Sequence, residues 1–158
     1  MEHCIYIVTG VAGHLGSSVT QRLNEQEKIV YALCLPDEKH PPQGGFVTVF
    51  YGDVCNVDGL TELFERCDGK LVTVIHCAGI VSIAAKFNQK VYDVNVTGTK
   101  NMIALCEKYR VQKLIYVSSV HAITELPGNE AITEINRFSA DDVVGLYLLS
   151  FRCHQTRR

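Results

Sequence analysis

Three glycines at three-residue spacing are the feature of this sequence that best suits chemistry. The segment Thr9-Gly10-Val11-Ala12-Gly13-His14-Leu15-Gly16 follows the apolar run of residues 4–8 and precedes a helical apolar pattern over residues 17–24. This order predicts a strand, a tight glycine turn and a helix whose N-terminal N–H groups and dipole favour a phosphate. A side chain in the turn would obstruct the turn itself, an approaching pyrophosphate, or the packing of helix on strand. We therefore predict a dinucleotide site, although an ordinary strand–helix turn can carry the same glycines.

Further polar residues stand where later apolar runs end. Asp53, the segment His76–Gly79 and the pair Ser118–Ser119 each follow or close such a run, and ligands bind outside the carboxyl ends of the strands in open parallel sheets. Asp53 either bonds an adenine amino group or serves as a turn or capping residue. Ala78–Gly79 either lets the backbone approach a ligand or forms a plain turn. We expect His76 to be a core histidine with satisfied hydrogen bonds rather than a base.

Asn95 lies on the apolar face of a long predicted helix. Because an unbonded amide on a buried face is costly, its side chain must have a partner. That partner is either the backbone of a neighbouring strand or a ligand.

Strand and helix patterns alternate along the chain. Besides the first strand and helix, the sequence predicts strands at 29–34, 46–51, 71–77 and 113–117, a short helix capped by Asp58, a surface loop at 35–45 and a helix at 89–109. This alternation predicts an α/β fold with a Rossmann-type doubly wound parallel sheet, right-handed crossovers and strand order 3-2-1-4-5-6. If the chain stops after five strands, the fifth lies at an edge, and we expect self-association into a homo-oligomer there.

Composition excludes several classes of partner. The 158 residues carry 15 basic and 17 acidic side chains, for a net charge of −2, so charge gives no reason to expect binding to nucleic acid or a membrane surface. No apolar run is long enough to span a bilayer, and the N-terminus shows no signal-peptide pattern. The seven cysteines show no metal-binding spacing, so small buried thiols in a reducing cytoplasm are expected, with no metal.

Five motifs in order resemble the extended, epimerase-like branch of the short-chain dehydrogenase/reductase superfamily. Thr9–Gly16 matches the TGxxGxxG of that branch, and Gly52-Asp53-Val54 matches its adenine-contacting GD motif. His76–Gly79 is similar to HxAG and Asn95–Thr99 to NVxGT. Tyr116–Ser119 is similar to the strand that ends in the catalytic serine. The segment around residues 74–81 looks closest to dihydroflavonol reductases and hydroxysteroid dehydrogenases.

The resemblance implies NAD or NADP as cofactor and a small-molecule substrate with a hydroxyl or ketone. Ser119 and Tyr147 would be the catalytic residues. The residues implied along the cofactor are Gly10, Gly13, His14, Leu15, Gly16, Asp53, Val54, Ala78, Gly79 and Asn95.

One departure from the family pattern leaves the choice of cofactor open. The second strand should end in an acid that binds the ribose of NAD or in an arginine that holds the phosphate of NADP. Leu35 occupies that position. Asp37 comes two residues late, and Lys39 or His40 could serve NADP.

A second departure concerns catalysis. The family uses a Tyr-x-x-x-Lys pair, in which the lysine lowers the pKa of the tyrosine and holds the ribose. Residue 151, four after Tyr147, is Phe. We expect residues 1–147 to form an NAD(P)-binding Rossmann domain and 148–158 an aberrant or disordered tail. Family members are longer, so a truncated chain is expected; the alternative is a small binding domain with its own short ending.

Two functions from different classes remain. The first is an NAD(P)-dependent oxidoreductase acting on a hydroxyl or ketone, as an incomplete chain with impaired catalysis; sugar-nucleotide epimerisation or dehydration is its sub-alternative. The second is a non-catalytic dinucleotide-binding module, either a redox sensor or a remnant. The Phe at position 151 favours the second for this chain, and the motifs favour the first for its family.

Overall fold

A computed structural model describes residues 4–82 and 87–119 and also Thr133. Within them, five parallel strands form one sheet in the order β3-β2-β1-β4-β5. The strands are β1 Ile5–Thr9, β2 Ile29–Cys34, β3 Val47–Tyr51, β4 Val72–His76 and β5 Lys113–Tyr116. The helices are α1 His14–Glu25, α2 Val57–Glu65, α3 Gln89–Tyr92 and α4 Thr99–Lys108, with a π-helical segment, Asp93–Gly98, between the last two. The predicted parallel α/β fold and this part of the strand order are confirmed.

The register of the sheet brings its carboxyl ends level. Thr9, the last residue of β1, pairs with Leu33 of β2 and with His76, the last residue of β4. The loops that follow the strands therefore leave from one edge of the sheet. That edge is where a ligand binds in doubly wound folds.

Apolar clusters pack on both faces of the sheet, and β1 contributes side chains to both of them. Ile7 packs with the cluster that includes Phe64 of α2 and Met102 of α4, whereas the adjacent Val8 packs with a second cluster against Val19 and Leu23 of α1. Successive side chains of a strand point to opposite faces of the sheet. The unbroken apolar run before the glycines is thus explained by helices on both faces.

The predicted cap of the short helix was wrong. Helix α2 begins at Val57, so its N-cap is the preceding residue, Asn56, and not Asp58. The Oδ1 atom of Asn56 accepts a hydrogen bond from the Gly59 N–H at 3.5 Å. Asp58 lies in the first turn, where its charge suits the helix dipole.

The long helix predicted over 89–109 is present but not uniform. A π-helical turn widens it between α3 and α4, and this turn buries Asn95, Val96 and Gly98. A Cβ on Gly98 would lie 2.6 Å from Cγ2 of Val54, so the wide turn packs directly against the loop that follows β3. π-helical turns occur frequently at functional sites, which directs attention to this contact.

Candidate functional site

A cavity of about 580 Å³ runs along the carboxyl edge of the sheet. Four loops and one helix face form its wall, each following a strand or facing those loops. The lining residues are Gly10, Val11, Ala12, Gly13, Leu33, Cys34, Leu35, Pro36, Asp37, Glu38, Gly52, Asp53, Val54, Cys77, Ala78, Gly79, Ile80, Lys90 and Val94. The structure therefore brings together most of the loops that the sequence singled out.

Two of the three glycines are required by the fold itself. Gly10 has φ +67°, and a Cβ there would lie 2.7 Å from the backbone N of Ala78. A Cβ on Gly16 would overlap the carbonyl of Gly10. The first glycine thus allows a left-handed turn beside the β4 loop, and the third allows α1 to pack onto that turn.

Gly13 differs from the other two because a Cβ there would make one tight contact rather than overlap the backbone. Its φ is −81°, and among the described residues a Cβ would come within 4 Å only of the Gly10 carbonyl, at 3.2 Å. Gly13 also lines the cavity. The fold therefore restricts this position less than the other two, and the missing side chain leaves the cavity open here.

The N-terminus of α1 begins at this part of the wall. Gly13 is the N-cap of α1, no side chain caps the helix, and its first turn holds no acidic residue. The first N–H groups of a helix have no partner within it, and they carry the positive end of the dipole. This part of the cavity favours an anionic group such as a phosphate.

The wall after β2 is acidic. The Glu38 N–H donates to the carbonyl of Leu35 at 3.1 Å, which closes a turn, and Asp37 and Glu38 both line the cavity. Lys39 and His40 do not line it. Of the residues considered for cofactor choice, Leu35 and Asp37 line the cavity, and Glu38, which the sequence analysis did not single out, lines it beside them.

Asp53 has the turn role that the sequence left open. Its Oδ1 accepts the Cys55 N–H at 2.8 Å, and its carbonyl accepts the Asn56 N–H at 2.9 Å. Asp53 and Val54 also line the cavity. The turn role is therefore observed, and contact with an adenine ring remains a prediction.

Two side chains hold the loop after β4. The Ala78 N–H donates to Oγ1 of Thr9 at 3.0 Å. The Ile80 N–H donates to Oδ1 of Asn95 at 2.8 Å, and Nδ2 of Asn95 donates to the Ile80 carbonyl at 2.9 Å. The partner of Asn95 is thus backbone, one of the two predicted alternatives. Asn95 itself does not line the cavity, so its contribution to the wall runs through Ile80.

His76 is a satisfied core histidine, as predicted. Its side chain is fully buried, with Nδ1 2.7 Å from Oγ1 of Thr9 and Nε2 3.0 Å from Oγ1 of Thr99. It does not line the cavity, so it cannot exchange a proton directly with a molecule bound there.

The remaining predicted site residues lie elsewhere. His14 and Leu15 are exposed on the first turn of α1, beside the cavity but not among its lining residues, and Gly16 is buried beneath that turn. Ser119 is half-buried after β5 and does not line the cavity. Tyr147 lies outside the described residues.

Sequence reasoning missed two wall residues on the helix side. Lys90 and Val94 line the cavity from the end of the long helix that faces the loops. Their four-residue spacing places them on one helix face, and this spacing could have identified them. They add one cation and one apolar side chain to a wall whose other charged residues are Asp37, Glu38 and Asp53.

The cavity thiols behave as apolar wall. Burial raises the pKa of Cys34, helped by the nearby charge of Glu38, and burial alone raises the pKa of Cys77. Both groups therefore stay protonated at neutral pH, the form least reactive as nucleophile or metal ligand. Across residues 4–82 and 87–119, no three potential metal-ligating side chains gather into a group, and no helix there is long and apolar enough to cross a membrane.

Comparison of the sequence with known proteins identifies a family and several relatives. The family model described as the 3-beta hydroxysteroid dehydrogenase/isomerase family matches residues 7–140. 3 beta-hydroxysteroid dehydrogenase type 7 of Mus musculus is 33% identical over 130 residues, covering 75% of this chain and 33% of that protein. A putative dihydroflavonol 4-reductase of Synechocystis is 28% identical over 151 residues, covering 93% of this chain and 41% of that protein.

Solved structures share the fold. UDP-glucose 4-epimerase of Thermus thermophilus, in complex with NAD, superposes with a TM-score of 0.77 at 24% identity over 92% of this chain and 47% of that chain. A mutant of uronate dehydrogenase from Agrobacterium tumefaciens, complexed with NAD, superposes with a TM-score of 0.74 at 21% identity. The match covers 96% of this chain and 53% of that chain.

The chain therefore spans only a third to two fifths of these two curated relatives. The family model, by contrast, matches most of the length of this chain. It includes the glycine turn, the GD motif and the segment that leads to Ser119. The chain belongs to the 3-beta hydroxysteroid dehydrogenase/isomerase family, within the extended short-chain dehydrogenase/reductase superfamily.

Proposed function

We propose that this chain is the NAD-binding part of an oxidoreductase of the extended short-chain dehydrogenase type, whose substrate carries a hydroxyl or a ketone. One observation carries the proposal: Gly13 faces the cavity without a side chain at the N-terminus of α1, although the fold restricts this position less than it restricts Gly10 or Gly16. Several relatives are named as dehydrogenases or reductases, and some related structures were solved as NAD complexes. Those names support the proposal.

The residues present fit a dinucleotide. The first-turn N–H groups of α1 would hold the pyrophosphate. Asp37 and Glu38 would accept hydrogen bonds from ribose hydroxyls, and Asp53 with Val54 would face the adenine. Ala78 and Gly79 would lie along the cofactor. Bound NAD would supply the hydride acceptor.

The acidic wall predicts a preference for NAD over NADP. The carboxylates of Asp37 and Glu38 would repel the additional phosphate of NADP, so we expect NADP to bind at least about tenfold more weakly. The double variant Asp37→Asn/Glu38→Gln should narrow this ratio, mainly by improving NADP binding. Titration calorimetry with both nucleotides measures the two dissociation constants.

An exposed acid away from the cavity supplies the control for this test. Glu65→Gln in α2 removes one negative charge, as each of the two substitutions in the wall does, and we expect it to leave the ratio unchanged. Tighter binding of NADP than of NAD by the natural chain would show that the acidic wall does not select the cofactor.

A non-catalytic role for this chain has one specific observation in its favour. The position of the family lysine holds Phe151. We propose that this chain binds the nucleotide without completing hydride transfer, with Ser119 and Tyr147 as the retained members of the catalytic set. The sequence similarity to a UDP-glucose 4-epimerase keeps sugar-nucleotide chemistry as the alternative for the whole protein.

We also propose that the chain self-associates through β5. In the part of the chain that the structure describes, β5 pairs with β4 alone, and Ile115 on it is 38% exposed. An open strand edge with apolar side chains favours pairing with another chain. Ile115→Lys should lower the average mass measured by light scattering at high concentration, whereas Tyr51→Lys on the opposite edge strand should not. A monomer at every concentration would refute the proposal.

A further inference from the structure

A line of hydrogen bonds connects the cavity wall to the long helix through the interior. The Ala78 N–H donates to Oγ1 of Thr9, which lies 2.7 Å from Nδ1 of His76. Nε2 of His76 lies 3.0 Å from Oγ1 of Thr99, and that hydroxyl donates to the carbonyl of Asn95 at 2.9 Å. Thr9, His76 and Thr99 are each at most 1% exposed. Water therefore has little access to these contacts.

The far end of the line fixes where the protons sit. A carbonyl oxygen can only accept, so the Thr99 hydroxyl donates its one proton to Asn95, and Tyr116 is a further hydrogen-bond partner of the same hydroxyl. Oγ1 of Thr99 must then accept from His76, which places a proton on Nε2. In a neutral imidazole the other nitrogen is an acceptor, so Thr9 donates its proton to Nδ1. Its lone pairs are then left for the Ala78 N–H.

The opposite tautomer fits the contacts less well. With the proton on Nδ1, Thr9 would accept from both His76 and Ala78, and its own proton would have no acceptor among the contacts that the structure gives it. The Thr99 proton would turn to Nε2 and leave the Asn95 carbonyl. A buried donor without a partner is costly, and the first arrangement avoids that cost.

We propose that His76 is a positioning residue for the cofactor: as the Nε2–H tautomer it orients the Thr9 hydroxyl, which holds Ala78 and the cavity wall after β4. This inference rests on the proposed function in one respect, namely that the cavity holds NAD. The tautomer and the orientation of Thr9 concern the chain without a nucleotide.

Two variants of His76 test the roles of the two ring nitrogens one at a time. In His76→Asn the amide oxygen can take the place of Nδ1 and still accept from Thr9. In His76→Gln the amide nitrogen can take the place of Nε2 and still donate to Thr99. If orienting Thr9 is the role of His76, His76→Asn should bind NAD at least about threefold more tightly than His76→Gln. Equal affinities, or tighter binding by His76→Gln, would overturn the proposal.

Threonine variants test the other partner. Thr9→Val keeps the shape of the side chain but removes the hydroxyl, and we expect about tenfold weaker NAD binding. Thr9→Ser restores the hydroxyl and should restore most of the affinity. Thr20→Val is the matched control, because the buried hydroxyl of Thr20 has no hydrogen-bond partner among the described residues and its loss should leave NAD binding unchanged. Equal binding by Thr9→Val and the natural chain would contradict the proposal.

The tautomer is read directly from nitrogen NMR of the 158-residue chain without nucleotide. The protonated and unprotonated ring nitrogens of a neutral histidine have widely separated shifts. We expect the His76 proton on Nε2 across neutral pH; a proton on Nδ1 would overturn the inference. If the histidine variants fail to fold, this spectrum and the threonine variants still decide. If the natural chain binds no NAD, the proposed function fails while the spectrum still tests the tautomer.

Discussion

Gly13→Val should lower the affinity for NAD at least about a hundredfold while the chain stays folded, a change of about 2.8 kcal/mol in binding free energy. The reason is geometric. Gly13 is extended, and a Cβ there would meet the Gly10 carbonyl at 3.2 Å, so valine needs a backbone shift of a few tenths of an ångström. The added methyl groups would stand where a pyrophosphate must approach the N–H groups of α1. Titration calorimetry measures the affinity, and thermal unfolding by circular dichroism measures the stability.

Valine variants of two other glycines are controls for this result. Among the described residues, apart from its chain neighbours, none has a heavy atom within 4 Å of a Cβ placed on Gly45, so Gly45→Val should change neither the affinity nor the melting temperature appreciably. Gly16→Val should lower the melting temperature sharply, because its side chain would overlap the Gly10 carbonyl. An unchanged affinity in Gly13→Val would mean that the nucleotide does not bind across this turn.

The second expected result is that this chain does not catalyse hydride transfer. An isolated tyrosine has a pKa of about 10, so almost none is ionised at neutral pH. A lysine one helical turn later would favour the tyrosinate, whereas Phe151 offers neither a charge nor a donor. Loss of a positioned general base costs about a hundred- to ten-thousand-fold in rate.

Absorbance of reduced nicotinamide during incubation with NAD and a panel of alcohols measures this prediction, and NADH with ketones measures the reverse reaction. The matched control is Tyr147→Phe, which should be indistinguishable from the natural chain if Tyr147 is not ionised. Steady turnover by the natural chain that disappears in Tyr147→Phe would contradict the prediction.

The sequence was sufficient for the sheet because its strands are continuous apolar runs between polar loops. The predicted 29–34 strand is β2 itself, and the other predicted strands differ from the observed ones by one residue at an end or at both ends. The π-helical segment could not be predicted, since one widened turn barely alters the apolar spacing of a long helix. The cap of α2 was misassigned because Asn56 and Asp58 are both good capping residues two positions apart.

The candidate site was predictable only in outline. Parallel strands place their carboxyl ends at one edge, so the glycine turn, Asp53 and Ala78–Gly79 could be assigned to one cavity. The turn that brings Asp37 and Glu38 to the wall depends on a local backbone hydrogen bond that no spacing indicates. The contact between Thr9 and His76 joins residues 67 positions apart, which only the fold brings together.

Titration of the 158-residue chain with NAD tests the central claim most directly. We predict saturable one-to-one binding, detectable at millimolar nucleotide, that is weaker for NADP and lost in Gly13→Val. Absence of binding by either nucleotide at millimolar concentration, with the chain shown to be folded, would contradict the assignment of the cavity to a dinucleotide.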